Sequence, residues 1–411
     1  METNLIICLD RNSIDKCDRE KDNKKNKKMS TEIKITRENG GIRYVAANND
    51  GVSGMLVYIA TIPTGFSSEN IQEIRSLSDA ETLGITSTST DNHIKALHYH
   101  LSEAYRLNNS LRLYLGIYSS GEDDEDTSEY DFAEISSLRR KANGEIRQVV
   151  VWAGEKEYNK TDVRKLQEEA TKAENEEMPL SIIYCPKVSD VTQMESGVQS
   201  GNRNVSVCVG EDLENGISGV NVTMAGVVLG ILSKSKVNES IAWVKKFDTG
   251  IYKAGLVDGR AYNELSQTEI ASMEEKRLLF VKTYAGYSGV YMNDSYTMDE
   301  SKSDYNTIER MRTMDKAVRG VREYMLPMVG APVEIDAQSG KIDAAVVEMW
   351  KNEANRYLEQ MDRYEEISGY EVEIDSEQNV LSTSKIEIVI RQVPMGIARK
   401  IAIKMSYAEE L

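Results

Sequence analysis

Residues Lys282–Ile342 form a continuous stretch around which the other segments can be placed, and it reads KTYAGYSGVYMNDSYTMDESKSDYNTIERMRTMDKAVRGVREYMLPMVGAPVEIDAQSGKI. Two short apolar runs, Leu278–Tyr284 and Gly289–Asn293, stand at its beginning with the four residues 285–288 between them. Tyrosine and valine favour strands, and small residues between two such runs favour a tight reversal. We therefore predict a β-hairpin here.

A polar loop to Ser303 and a long helix should follow the hairpin. Ser303 is a plausible N-cap, since its hydroxyl can accept a hydrogen bond from a free N–H of the next turn. Apolar residues then recur at the three-, four- and seven-residue spacings of one helix face: Ile308, Met311, Val318, Val321 and Met325. Pro327 lacks an N–H and disfavours helical geometry before it, so we expect the helix to end or kink near Leu326.

The order of residues in this stretch resembles the core of contractile tail sheath proteins, which form the outer cylinder of phage tails and of related contractile injection systems. The shared features are Gly-Val-Tyr-Met-Asn-Asp at 289–294, Asp304-Tyr305, and Arg-Met-Arg-Thr-Met-Asp-Lys-Ala at 310–317. Met292 stands where the family more often has an aromatic or small residue. The resemblance covers the chain from about Val205 to its end. An ordinary hairpin and helix in an unrelated α/β protein is the alternative.

Composition limits the class of protein. The chain has 411 residues, 40% of them hydrophobic, which suits two or three domains. Its 50 basic and 67 acidic residues give a net charge of -17. Nucleic-acid binding needs a concentrated basic footprint, so we predict no nucleic-acid partner, and an acidic chain is equally unsuited to an anionic membrane.

Cysteine usage and hydropathy predict a soluble chain that is made inside the cell. None of the four cysteines forms a CxxC pair: Cys8, Cys17, Cys185 and Cys208. Cys185 and Cys208 lie in apolar runs and are expected to be buried free thiols. The apolar run Leu5–Leu9 is too short for a signal peptide, and nothing approaches the roughly 20 apolar residues that span a membrane.

The first 50 residues differ from the rest. Residues 1–28 end in a charge run and are expected to be a disordered basic tail, with Met29 as an alternative start of the protein. Residues 29–50 are predicted to be an arm with one strand, because Ile33 and Ile35 alternate with polar residues. The Asn-Gly-Gly sequence at 39–41 would tether this strand flexibly.

Residues 51–277 alternate between strand-like and helix-like patterns, which predicts α/β architecture with a covered, mostly parallel sheet. The predicted strands are Met55–Ile62, Leu111–Tyr118, Ile146–Trp152, Leu180–Cys185 and Val205–Val209. The predicted helices are Ser68–Leu77, Asp91–Asn108, Glu129–Asn143, Thr161–Glu174 and Ile217–Lys236. Gly226 and Gly230 lie four residues apart, a spacing that would let another element approach the last helix closely.

Residues 278–411 should form an α+β domain. A helix is predicted over Lys341–Ile367, and strands over Tyr370–Ile374, Ile386–Val393 and Ile397–Tyr407. In the last of these, one side of the strand is apolar: Ile397, Ile401, Ile403 and Met405. Pro394 ends the preceding strand. A terminal strand with one apolar face needs a sheet to complete.

Motifs of catalysis are absent. The sequence has no phosphate-binding GxxxxGK[ST] or GxGxxG loop and no GxSxG nucleophile motif. His93, His98 and His100 are close in sequence, but helical geometry separates them too widely for one metal ion. We therefore predict no catalytic, cofactor-binding or metal-ligating residues.

The resemblance implies a structural subunit with an outer α/β domain, and a C-terminal sheath domain whose terminal strands are exchanged between subunits through Ile33, Ile35, Ile397, Ile401, Ile403 and Met405. Such a subunit polymerises helically around an inner tail tube, also meets baseplate and tail terminator proteins, and contracts to drive the tube through a target envelope. It would assemble in the bacterial cytoplasm and end in a virion tail or injection apparatus.

The long helix predicted after the hairpin also carries basic residues that could contact the tube or a neighbour, or simply face solvent: Arg310, Arg312, Lys316, Arg319 and Arg322. An α/β enzyme acting on a small molecule, or a structural subunit of another phage-type assembly, is the alternative.

Overall fold

A computed structural model describes residues 49–120, 130–215, 217–337 and 340–408. Its strands are β1 Ser53–Ile59, β2 Ile71–Ile74, β3 Leu113–Ser119, β4 Gln148–Glu157, β5 Ser181–Lys187, β6 Val205–Val207, β7 Gly210–Asp212, β8 Ala254–Leu256, β9 Val281–Tyr284, β10 Tyr287–Met292, β11 Ile367–Ile374 and β12 Ile388–Pro394. Its helices are α1 Leu77–Thr82, α2 Asn92–Leu107, α3 Glu134–Lys141, α4 Lys160–Asn175, α5 Ala225–Lys234, α6 Gln267–Glu275, α7 Ile308–Met325, α8 Ala344–Arg363 and α9 Val380–Thr383. The predicted tail, and the arm strand with Ile33 and Ile35, lie outside the described residues.

A six-stranded sheet with the order β2-β3-β1-β4-β5-β6 organises the first part of the chain. All neighbours pair in parallel except β2 and β3, which are antiparallel. Every residue of β1 is buried, as expected for a central strand covered on both faces. The predicted α/β class with a mostly parallel sheet is confirmed, and smaller antiparallel sheets accompany it.

Successive residues of β1 point to opposite faces, and each face has its own core. Met55 belongs to the cluster that contains Leu97 of α2 and Leu229 of α5. Leu56 belongs to the cluster that contains Leu138 of α3 and Leu166 of α4. The helices therefore cover the sheet on both sides.

The helices α2 and α5 touch almost backbone to backbone. A Cβ atom placed on Gly226 would lie 2.0 Å from the carbonyl oxygen of His100, and one on Gly230 would lie 2.8 Å from Cβ of Leu107. The predicted close approach at the two glycines is thus confirmed. The helix begins later than predicted, at Ala225, because the preceding segment bridges to β7 through the backbone of Thr223.

Two predicted local features are wrong, and a third stays a prediction. Residues 71–74 form strand β2 beside β3, and helix α1 starts only at Leu77. The N-cap of α7 is Thr307, whereas the Ser303 hydroxyl donates a 2.6 Å hydrogen bond to the carboxylate of Asp299. Residues 397–407 take no strand pairing within the described chain; a strand there would need a partner from outside it.

The predicted hairpin is confirmed as β9 and β10, and α7 ends at Met325 before a turn at Leu326–Met328, as Pro327 predicts. This helix joins two cores. Its start packs in the sheet core through Ile308. Its later part contributes Ala317 to a separate cluster with α8 and β11: Ala354, Leu358, Met361, Ile367 and Val372. We refer to residues 49–292 as the body and to residues 326–408 as the C-terminal unit.

Candidate functional site

The segment that follows β12, residues 395–408, is an arm with apolar side chains in water. Four of them are exposed by 78%, 77%, 91% and 106%, in this order: Ile401, Ile403, Met405 and Tyr407. Ile397, nearer the body, is half-buried. Fully burying one large apolar side chain contributes about 1.5–3 kcal/mol. Burial of this C-terminal arm against a partner surface would therefore be favourable in free energy.

The small sheet of β11 and β12 has open edges. Its antiparallel register places Val372 opposite Ile390, and neither outer edge pairs with another strand among the described residues. One face packs on the C-terminal cluster, whereas the other exposes Val389 and Val393 by 47% and 59%. Open edges are templates for further strands, and a two-stranded sheet is marginal by itself. Each edge is a candidate acceptor.

The arm is fixed at its base by Arg399. Its Nε donates a 2.8 Å hydrogen bond to Asp294 Oδ1, and one Nη donates to Ser295 Oγ at 3.1 Å and to a carboxylate oxygen of Glu309. Burial lowers the pKa of Arg399, but Glu309 and Asp294 outweigh it, so that the pKa is raised overall. The base of the arm is thereby held to the corner where β10 leads into α7.

The basic residues predicted on α7 divide between buried and accessible positions. Arg312 and Lys316 are 3% and 6% exposed. Arg310 and Arg319 are half-buried, and Arg322 is exposed. The sequence pattern alone did not separate these two groups.

Arg312 binds the C-terminal end of α5. Its guanidinium donates to Ser235 Oγ at 2.7 Å and to the Leu232 carbonyl oxygen at 3.0 Å. Carbonyl groups at a helix C-terminus lack intrahelical donors and attract positive charge. Burial lowers the pKa of Arg312 to about 10. Its visible role is to join α7 to the body.

Lys316 lies between two carboxylates from distant parts of the chain. Its Nζ donates 2.6 Å hydrogen bonds to Asp50 Oδ2 and to Glu366 Oε1. Burial raises the pKa of Glu366, and Lys316 opposes that rise. We call Asp50, Arg312, Lys316 and Glu366 the charged seam, because they join the body to the C-terminal unit.

The remaining three basic residues also have contacts within the chain. Arg319 donates to the Pro179 carbonyl oxygen at 3.0 Å, Arg322 pairs with Glu177, and Arg310 lies 3.5 Å from Asn306 Oδ1. Contact of the five basic residues with a tube or neighbour stays a prediction. The exposed Arg322 is the member most accessible for it.

The three histidines do not come together. His98 pairs with Glu81 at 3.1 Å, and His93 lies 3.6 Å from Asp91. His100 is buried against Trp152, and burial lowers its pKa to about 3. Within the described ranges, no group of three or more His, Cys, Asp or Glu side chains could hold a metal ion.

The cysteines, one surface groove and the character of the helices complete the description of the chain. Cys185 and Cys208 are buried free thiols, as predicted, and Cys8 and Cys17 lie outside the described residues. An open groove of about 550 Å³ in the C-terminal unit is lined mainly by apolar residues, and its one titratable lining residue is Lys385. None of the described helices has the length and apolar character needed to cross a bilayer.

Sequence reasoning missed the residues that receive the basic side chains. Asp50 and Glu366 lack any local motif, and an aspartate in a loop such as Asp294 by itself favours no more than a turn. The Asn-Asp pair at 293–294 did carry a signal, because it belongs to the quoted hairpin pattern. Nothing in the sequence pairs Asp294 with Arg399, 105 positions later.

Two family models match this chain. The model described as DUF2586, N-terminal domain, matches residues 31–296, and the model described as DUF2586, C-terminal domain, matches residues 304–411. A curated relative, "Putative tail sheath protein" of Haemophilus phage HP1 (strain HP1c1), is 38% identical over 60 residues. That match spans 15% of this chain and 16% of the relative's length.

Solved structures share the fold over nearly the whole chain. A chain from the cryo-EM structure of the anti-feeding prophage (AFP) baseplate, 6-fold symmetrised, has a TM-score of 0.61 at 14% identity and covers 91% of this chain and 100% of its own. A chain from the PVC sheath complex of an extracellular contractile injection system, in the contracted state, has a TM-score of 0.57 at 12% identity, with coverage of 92% and 99%.

Proposed function

The chain belongs to the DUF2586 family, and because its resemblance to contractile tail sheath proteins is confirmed, we propose that it is a subunit of a contractile tail sheath. The relatives support a structural role in a contractile tail or injection apparatus. They also support a role without catalysis, which the proposal adopts. Helical polymerisation, the choice of partners and contraction are part of the same proposal.

Helical polymerisation would proceed by strand addition between copies. The observation that carries this step is the C-terminal arm, whose alternating apolar residues Ile401, Ile403 and Met405 are exposed beside a sheet with open edges. A strand added to such an edge satisfies its free N–H and C=O groups. Each added hydrogen bond contributes on the order of 1 kcal/mol net. Several bonds at every subunit would hold a continuous mesh.

The N-terminal strand with Ile33 and Ile35 would serve as a second donated strand. Residues 51–277 would form the outer α/β domain and residues 278–411 the sheath domain, with arms at both ends. Partners would be further copies of the chain, an inner tail tube, and baseplate and terminator proteins. Assembly would take place in the bacterial cytoplasm, before the sheath becomes part of a virion tail or injection apparatus.

Contraction requires two lattices of different free energy. An extended lattice formed on the tube can be metastable, and a trigger can release it to a shorter, wider lattice with better interfaces. Strands exchanged between copies would keep neighbours connected while the rigid bodies rotate. The free energy released would drive the tube into a target envelope.

Electron microscopy of the purified protein tests the proposal. We expect full-length protein to form rings or tubes, deletion of Ile397–Leu411 to abolish them, and deletion of Ser406–Leu411 to have a mild effect. Circular dichroism should show that both deletions leave the body folded. A full-length protein that stays monomeric at high concentration would contradict polymerisation, and assembly of the larger deletion would contradict the arm's part in it.

A further inference from the structure

The acceptors that bind Arg399 at the base of the arm are buried side chains. The side chains of Asp294 and Glu309 are only 12% and 4% exposed, and Ser295 is fully buried. Ser295 Oγ also donates a 2.6 Å hydrogen bond to Glu309 Oε2. Among the described residues, the only ion-pair partner of either carboxylate is Arg399.

The three acceptors are held rigidly. Asn293 fastens the preceding hairpin by accepting from Phe280 N at 2.9 Å and donating to the Leu278 carbonyl oxygen at 3.1 Å. The Ser295 carbonyl oxygen accepts from Ile308 N at 2.8 Å, so Glu309 enters the first turn of α7 beside it. We therefore expect the acceptors to keep their spacing when the arm is displaced.

The contact uses the shape of a guanidinium. Arg399 uses Nε for Asp294 and an Nη for Ser295 and Glu309, so two nitrogens of one planar group serve opposite sides of the site. A lysine ammonium offers all its hydrogens from one nitrogen atom and cannot reproduce this two-nitrogen contact. The nearby Arg277 uses its own nitrogens on the carbonyl oxygens of Thr297 and Asn306.

Arg399 is the last residue of the arm with a hydrogen bond or ion pair to another described residue. Every residue from Lys400 to Ala408 is exposed. We propose that Asp294, Ser295 and Glu309 form a guanidinium socket that holds Arg399 and fixes where the arm leaves its own subunit, so that the exchanged strand begins at Lys400. The part concerning exchange rests on the proposed sheath function. The socket itself does not.

If Arg399 is removed and free guanidinium is added to the solution, the proposal predicts that stability is restored and that assembly is not. Arg399→Ala leaves two buried carboxylates without a cation, which should lower the midpoint of thermal unfolding by about 5 °C. Guanidinium at about 20 mM, far below denaturing molar concentrations, should restore most of this loss, whereas ammonium should not. Neither salt should restore assembly, because a free cation does not tether the arm. We expect at least a tenfold rise in the concentration needed for assembly.

Two further variants sharpen the test. Arg399→Lys should assemble as poorly as Arg399→Ala. The matched control is Arg164→Ala, which removes an exposed arginine paired with Glu168 on the same helix, α4, and should change neither readout.

Rescue of both stability and assembly by guanidinium would overturn the positioning role, as would normal assembly of Arg399→Ala. An unchanged unfolding midpoint in Arg399→Ala would overturn the socket. If the full-length protein fails to assemble, the sheath proposal fails, while the midpoint and its rescue still decide the socket.

Discussion

The body and the C-terminal unit differ in how far their sheets are covered. The body covers both faces of six strands with helices, and all seven residues of β1 are buried. The C-terminal unit has two strands, a cluster of five buried apolar residues that Ala317 of α7 joins, and an arm whose apolar side chains face water. The body is thus covered within one chain, whereas among the described residues the C-terminal unit leaves one sheet face, both sheet edges and an apolar arm uncovered.

The largest expected effect concerns the junction between the two regions. Lys316→Met removes the cation between Asp50 and Glu366 and leaves two buried carboxylates, so the free energy of unfolding should fall by about 3–5 kcal/mol. Arg322→Met, which breaks an exposed pair with Glu177, is the control and should change it by less than about 0.5 kcal/mol. Urea unfolding followed by tryptophan fluorescence measures both. Equal effects would show that the charged seam does not join the two regions.

A glycine in each region gives the next contrast. Gly226→Ala places a methyl group 2.0 Å from the His100 carbonyl oxygen, so α2 and α5 must move apart, at a cost of about 3 kcal/mol. Gly369→Ala on β11 meets nothing within 4 Å and should be nearly neutral. Thermal unfolding of the two variants makes the comparison. A neutral Gly226→Ala would mean that the body is less tightly packed than its helices indicate.

Acid should affect the body through His100. Burial lowers its folded pKa to about 3, whereas the unfolded chain takes up the proton near the ordinary value of 6.5. Stability is therefore full above pH 6.5 and is lost as pH falls towards 3, by about 1.4 kcal/mol for each pH unit below about 5.5. His100→Leu should flatten this part of the pH profile, and His93→Leu, on the same helix, should retain it. Identical profiles for the two variants would rule out the buried histidine as the cause.

The smallest effect on the isolated chain should come from the arm. Ile401→Ser together with Ile403→Ser alters side chains that are 78% and 77% exposed, so the free energy of unfolding should change by no more than about 0.5 kcal/mol. Leu358→Ala, in the buried C-terminal cluster, should cost about 2–5 kcal/mol. Chemical denaturation measures both, and light scattering of the double variant measures lost assembly. A large loss of stability in the double variant would mean that the arm packs on its own chain.

Sequence predicted the body well because its information is local. Long apolar runs separated by amphipathic helices specify a covered parallel sheet, and the two glycines of α5 announce a close contact. The errors were also local. Ile71 and Ile74 are three apart and mimic a helix, although pairing with Leu113 and Gly116 of β3 makes them a strand.

The candidate site was harder because burial of a charge depends on distant partners. Helical spacing marks Arg312 and Lys316 as surface residues, and only the folded chain brings Asp50 to Lys316 from 266 positions away. The alternation at residues 397–407 predicts a terminal strand, and this strand stays a prediction because those residues take no pairing within the described chain. The anchoring of that arm by Arg399 was not predictable, because its acceptors belong to a turn and a helix start.

The double contact of Lys316 with Asp50 and Glu366 has a consequence for how the subunit moves. Asp50 stands where the chain enters the body from the N-terminal segment, and Glu366 stands directly before β11, which leads towards the C-terminal arm. One ammonium thus couples the first described residues of the body to the start of the C-terminal sheet. If the C-terminal unit turned away from the body, one of two buried carboxylates would lose its cation, so we expect the two regions to move together as one rigid piece.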